Sequence, residues 1–227
     1  MSEWREFAGR EQLDTALAQH LARALQRDLA ARSAASMALS GGSTPRGMCR
    51  ALANCALDWD KVLLTLVDER WVNADHPDSN ERLLRENLLC GEASRSHLVG
   101  LKTAHADALD ALEEVRQKLA RLPMPFTAVV LGMGGDGHTA SWFPRAENLR
   151  DLLFPGEGQL VGATDPITAP HQRITLTLPA VLHSREIIIH ITGEQKRDVL
   201  QAAAAEGHPI AAVTMQHATP VTIWWAP

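Results

Sequence analysis

The stretch that most constrains this chain runs from Phe126 to Ser141, Phe-Thr-Ala-Val-Val-Leu-Gly-Met-Gly-Gly-Asp-Gly-His-Thr-Ala-Ser. A short apolar, β-branched run, Ala128 to Leu131, gives way to four glycines within six residues: Gly132, Gly134, Gly135 and Gly137. The run predicts a buried strand, and the glycines predict a tight loop whose backbone lies open to close approach by a ligand. Asp136 and His138 bring titratable side chains into that loop. In α/β sheets, ligands bind at the carboxyl ends of strands. His138 is therefore the expected centre of a site.

Helix and strand patterns alternate around that stretch. Leu13, Leu17, Leu21, Leu25 and Leu29 recur every four residues and predict a long amphipathic helix over 11–31, its stripe packed on a core. Met37–Ser40 is a short strand leading into Gly41-Gly-Ser-Thr-Pro45, where Thr44 suits a helix N-cap and Pro45 the first helical position. A glycine turn into a helix N-terminus presents free N–H groups to an anion, although the same sequence also serves as a plain β-to-α connection. Lys61–Val67 is a second buried strand, ending in Asp68-Glu-Arg-Trp71, charges that suit a ligand-binding edge or a solvated loop.

Helices are expected over Glu81–Leu89, with Asp78 and Glu81 at capping-box spacing, and over Asp107–Leu122, stopped by Pro123 and Pro125. Gln159–Ala163, Arg173–Leu178 and Glu186–Thr192 read as strands, the second closed by Pro179. Thr192 and Gln195 have capping-box spacing for a helix reaching Ala205, which puts Lys196 in its first turn. Val221–Trp225 is the last strand. With no repeat, low-complexity tract or linker, residues 1–227 are expected to form one α/β domain with a mostly parallel sheet.

Composition excludes several function classes. The 227 residues carry a net charge of −5, which implies no general affinity for nucleic acid or membranes. A phosphorylated ligand would need a local basic cluster. The three cysteines, Cys49, Cys55 and Cys90, have no CxxC spacing and suit a reducing compartment; a charged N-terminus and no membrane-length apolar run make the cytoplasm the expected location.

Gly132-x-Gly134-x-x-Gly137 matches the dinucleotide fingerprint, but Pro144 prevents the long helix that should follow it. No nicotinamide or other cofactor is expected, and no GxxxxGK[ST] marks a P-loop. The ten histidines form no HExxH or zinc-type spacing, so no metal is expected either. His190, on an apolar strand, reads as a satisfied core residue, and His20, His105 and His217 as surface or helix positions.

Taken together, Ser40-Gly-Gly-Ser-Thr-Pro45, Val67-Asp-Glu-Arg-Trp71, Gly132 to Ser141, Arg173-Ile-Thr-Leu-Thr-Leu-Pro179 and Gly193-x-x-Lys196 resemble the 6-phosphogluconolactonases in order and spacing, over nearly the whole chain. The resemblance implies a Rossmann-like α/β fold with helices on both faces, shared with glucosamine-6-phosphate deaminases and more distantly with ribose-5-phosphate isomerases. It implies hydrolysis of 6-phosphogluconolactone to 6-phosphogluconate. The deaminases carry an Asn-Glu-Pro beyond the shared core and lack the equivalent of Arg70. Here Phe143 of Trp142-Phe-Pro144 stands where that acid would be, and both differences favour the lactonase. A sugar-phosphate isomerase or deaminase, and a non-catalytic sugar-phosphate-sensing domain, are the alternatives.

Lactone hydrolysis needs an activated water, oxyanion stabilisation and a proton for the departing ring oxygen. A histidine serves the first and third in turn, since its reference pKa of about 6.5 lies near working pH. His138 is the expected base and acid, with Asp136 in support either as its orienter or as a turn-former. Backbone N–H groups of Gly41–Gly42 or Gly134–Gly135 are the candidate oxyanion donors. The resemblance implies that Ser43, Thr44, Arg173 and Lys196 clamp the phosphate, while Asp68 and Arg70 contact the sugar lactone or its phosphate. The expected partner is the small-molecule substrate, with monomer and homodimer both open.

Overall fold

The computed structural model describes residues 2–227. Among them, ten strands form: β1 (Glu3–Glu6), β2 (Ala35–Leu39), β3 (Val62–Leu66), β4 (Asp68–Arg70), β5 (His97–Val99), β6 (Ala128–Leu131), β7 (Val161–Thr164), β8 (Arg173–Leu176), β9 (Ile187–Thr192) and β10 (Val221–Ala226). The helices are α1 (Arg10–Ala31), α2 (Arg46–Ala53), α3 (Asn80–Asn87), α4 (Leu112–Leu119), α5 (Leu149–Leu153), α6 (Leu178–Leu182), α7 (Glu194–Glu206) and α8 (Ala211–Thr214). The apolar runs occupy the middle of a seven-stranded parallel sheet ordered β1-β10-β9-β6-β2-β3-β5. Every residue of β2 and β6 is buried, as a parallel sheet covered on both faces requires.

From β2 the chain passes to β3 on one side; from β6 it passes to β9 on the other. Right-handed crossovers in opposite directions place their helices on opposite faces. The helices α1 and α2, which pack together, cover one face, and α7, between β9 and β10, covers the other. Leu39 of β2 pairs with Val130 of β6, so the strand order reverses between the two strands that end in glycine loops. That switch point is where an open α/β sheet binds its ligand.

A second sheet, antiparallel and ordered β4-β8-β7, stands beyond the carboxyl edge of the first. Leu176 N–H donates to Val67 O at 2.8 Å and ties β8 to the residue that joins β3 to β4. Arg173–Leu176 is thus a strand, as expected, but one that walls the site rather than joining the main sheet. Pro179 does not close it; it sits in the first turn of α6, where a missing N–H costs nothing.

Several helix starts differ from expectation. Pro45 precedes the first residue of α2 and the Thr44 side chain caps nothing, which leaves its hydroxyl to the cavity below. Ser79, not Asp78, caps α3 by accepting from Arg82 N–H. Residues 107–111 form turns instead of helix because Gln172 ties them down, donating to Asp107 and accepting from Ala108 N–H. Gly193, at φ +90, replaces the expected Thr192 cap of α7; its N–H donates to Ala226 O and its carbonyl accepts from Trp225 Nε1. The α1 leucine stripe is as expected, with Leu13, Leu17, Leu21 and Leu25 fully buried.

Candidate active site

Two loops meet at the switch point, and Ser40 joins them: its hydroxyl donates to Val130 O at 2.9 Å and accepts from Gly132 N–H at 3.0 Å. They border a cavity of about 450 Å³, within the roughly 300–1,000 Å³ of small-molecule sites. Gly41, Gly42, Ser43, Thr44, Asp68, Arg70, Gly134, His138, Arg173 and Lys196 all line it. Asp136 and Gly135 do not.

His138 is half-buried at the end of the β6 loop. Its Nδ1 lies 2.5 Å from Asp136 Oδ1, which also accepts the His138 N–H at 3.2 Å. Burial pushes the Asp136 carboxyl up, but the charge and hydrogen bonds of His138 outweigh it and hold the group below the usual carboxylate range. Asp136 therefore meets His138 from outside the cavity, on Nδ1, and Nε2 is left as the other ring nitrogen. Phe143 packs on the imidazole, with ring centroids 4.5 Å apart.

Gly134 has a different reason than ligand approach. A Cβ there would lie 2.2 Å from His138 Cε1 and 2.8 Å from Asp136 Oδ1, so the glycine makes room for the His138–Asp136 pair itself. Its N–H donates to His138 O at 2.9 Å and is not free for an oxyanion. Nothing in the structure calls for glycine at Gly135. Among the described residues, the N–H groups of Gly41 and Gly42 donate to no protein acceptor, and Gly42 takes φ +91, open to a residue without Cβ.

The opposite wall is built by the small sheet. Asp68 accepts from the Ser141 hydroxyl at 2.6 Å and, weakly, from Asn80 Nδ2 at 3.4 Å. Glu69, fully buried, accepts from Asn80 N–H, Glu81 N–H, Arg70 N–H and the Ser79 hydroxyl. This carboxylate anchors the start of α3, where anions are favoured. Burial pushes it above the usual range despite those bonds.

Arg173 is buried, its Nη2 bonded to Pro170 O at 3.0 Å and its Nε without a partner. Burial, then the neighbouring Arg70, draws it below an ordinary arginine. Lys196, in the first turn of α7, is lowered by burial and then by Arg10. His190 is not the satisfied residue expected: it is 2 % exposed and neither ring nitrogen has a hydrogen-bond partner. Its Nε2 stands 3.6 Å from Asp14.

The cavity also takes in Asp78, Asn80, Phe143 and His171, which the sequence did not mark as contact residues. Asn80 carried a signal only as a helix start, and His171 carried none. A Cβ on Gly41 would lie 1.8 Å from Asn80 Oδ1, so this glycine too is explained by a side chain packed against it.

Residues 8–224 match the family model of glucosamine-6-phosphate isomerases/6-phosphogluconolactonase. The chain belongs to that family. It is 42% identical over 226 residues to a 6-phosphogluconolactonase of Mesorhizobium japonicum, covering 99% of this chain and 95% of the relative. A 6-phosphogluconolactonase of Rhizobium meliloti is 39% identical, with 97% of each chain covered. The crystal structure of a 6-phosphogluconolactonase from Shewanella baltica superposes with a TM-score of 0.97 at 42% identity, covering 100% of this chain and 98% of that one. A monomeric glucosamine-6-phosphate deaminase, at 17% identity and a TM-score of 0.75, shares the fold. No helix among the described residues is long and apolar enough to cross a membrane.

Proposed function

We propose that this chain, as a single α/β domain in the cytoplasm, hydrolyses 6-phospho-D-glucono-1,5-lactone to 6-phospho-D-gluconate in the oxidative pentose phosphate pathway. The observation that carries the reading is His138: it lines the cavity with Nδ1 held by Asp136, and Phe143 rather than a second acid packs on its ring. An imidazole so placed has what ester hydrolysis needs and lacks the carboxylate that the resemblance assigns to amino-sugar deamination.

His138 Nε2 takes a proton from water as that water attacks C1, and the carbonyl electrons move to oxygen. The oxyanion is stabilised by the free N–H groups of Gly41 and Gly42, fixed dipoles that need no reorganisation. When the C1–ring oxygen bond breaks, His138 returns the proton to the departing oxygen. Ser43, Thr44, Arg173 and Lys196 hold the phosphate, where a dianion gains most from helix N-termini and fixed cations. Asp68 and Arg70 contact the sugar lactone or its phosphate.

The test is to generate the lactone in place with glucose-6-phosphate dehydrogenase and follow its loss at near-neutral pH against the spontaneous rate. Wild-type protein should accelerate the loss, and His138→Ala should lower turnover by roughly 10²–10⁴-fold. No acceleration by folded protein, or ammonia release from glucosamine 6-phosphate, would overturn the reading.

A further inference from the structure

Hydrolysis leaves unused a second cluster at the rim of the same cavity. His76 Nδ1, an Asp78 carboxylate oxygen and His171 Nε2 all lie within 4.8 Å of one another. His171 Nε2 is 2.9 Å from Asp78 Oδ2, and His76 Nδ1 is 3.9 Å from the same oxygen. His76 and Asp78 come from the segment between β4 and α3; His171 comes from the segment between β7 and β8. We propose that these three side chains form a Zn²⁺ site that ties the two segments together across the mouth of the cavity.

The donor set is the first argument. Two imidazoles and one carboxylate, with one position left to water, are a recurring zinc environment. Bonds of about 2.0–2.2 Å in a tetrahedron hold neighbouring ligand atoms roughly 3.3–3.5 Å apart. The two separations to Asp78, 2.9 and 3.9 Å, bracket that value, and all three atoms lie within 4.8 Å of one another, so an ion can be gripped by side-chain adjustments. His76 Nδ1 already accepts the Asp78 N–H at 3.1 Å. The ion would take over that weak contact and replace the hydrogen bond between His171 and Asp78.

Pre-organisation is the second argument. His171 has φ +68, a left-handed conformation that is uncommon for a residue with a Cβ and that gathers at ligand clamps. Asp78 is fixed from behind: Arg70 Nη1 donates to its carbonyl at 2.5 Å, and the next residue, Ser79, is bonded to buried Glu69. Asp78 brings the one negative charge to a cluster of two imidazoles. With His76 and Asp78 two residues apart and His171 distant in sequence, no zinc spacing was there to be read.

The test is calorimetric titration of ZnCl₂ into the metal-free full chain, with X-ray absorption on the loaded wild-type protein. One tight equivalent is expected, with a first shell of two imidazoles and oxygen and no sulfur. His76→Ala, His171→Ala and Asp78→Asn should each weaken binding by more than the roughly 10–100-fold typical of losing an outer-shell partner. Cys90→Ser and His105→Ala, which remove competing exposed ligands, should leave it unchanged. No binding, a sulfur ligand, or full affinity in His76→Ala and His171→Ala would overturn the site. Lactone turnover of the metal-free protein reports on the hydrolytic reading separately.

Discussion

Arg70 and Arg173 are register partners on the antiparallel strands β4 and β8. Residues paired this way project from the same face of the sheet at close range, and like charges there destabilise it. Arg173 is only 5 % exposed, with its Nε unpartnered. A pair of cations held together at a cavity wall is a poor arrangement for an empty site and a good one for a site receiving a dianion. Arg173→Met should therefore raise KM for the phosphorylated lactone by about 10–100-fold, the worth of a charge-assisted hydrogen bond, and leave kcat within a few-fold. Turnover of δ-gluconolactone, which lacks the phosphate, should not change. Equal losses on both substrates would remove Arg173 from phosphate binding.

Asp136 lies outside the cavity and meets it only through His138, so a catalytic role for it must run through that ring. Asp136→Asn keeps an acceptor beside Nδ1 but removes the charge that stabilises the imidazolium formed during turnover. Its kcat should fall by at least about 10-fold, a share of what acid–base catalysis supplies, with KM little changed. Steady-state kinetics on the in-place lactone would measure it. Unchanged kcat would reduce Asp136 to a turn-former.

The glycine loop makes a sharper case. In Gly134→Ala the new methyl would need the space of His138 Cε1, Nδ1 and Asp136 Oδ1, at 2.2, 2.3 and 2.8 Å. The pair must move, so kcat should fall toward that of His138→Ala while the circular dichroism stays native. Gly135→Ala is the control: its nearest neighbour would be Gln195 Nε2 at 3.9 Å, and activity should persist. Activity in both would mean the loop tolerates displacement of the imidazole.

These residues also mark what a sequence can show. The apolar runs at Met37–Leu39, Ala128–Leu131 and Ile187–Ile191, and the leucine stripe of α1, were legible because burial on both faces leaves little choice of residue type. So was the clustering of ten expected site residues, since loops at strand ends converge at the switch point. The wall was not legible: β4 is three residues long and charged, and its pairing with β8 depends on chain distant in sequence. Glu69 looked like surface charge because a buried carboxylate is betrayed only by the donors around it. Gly134 and Gly41 looked like openings for a ligand, whereas each is an opening for a neighbouring side chain.

His190 ties the core to pH. Burial, with Lys196 adding to it, pushes its imidazole down to about 4, while in the unfolded chain it titrates near 6.5. Between those values the unfolded state binds a proton that the native state does not, so stability must fall as pH drops through that window. The slope is on the order of 1.4 kcal/mol per pH unit at its steepest. His190→Phe keeps a ring in the site and removes the titration. Urea midpoints at pH 7 and pH 5, above most carboxylate titration, separate the contributions. Wild-type protein should lose clearly more stability over that interval than the variant. Equal losses would mean that native His190 takes up its proton at pH 5, with the Asp14 carboxylate 3.6 Å away stabilising the charge that burial opposes.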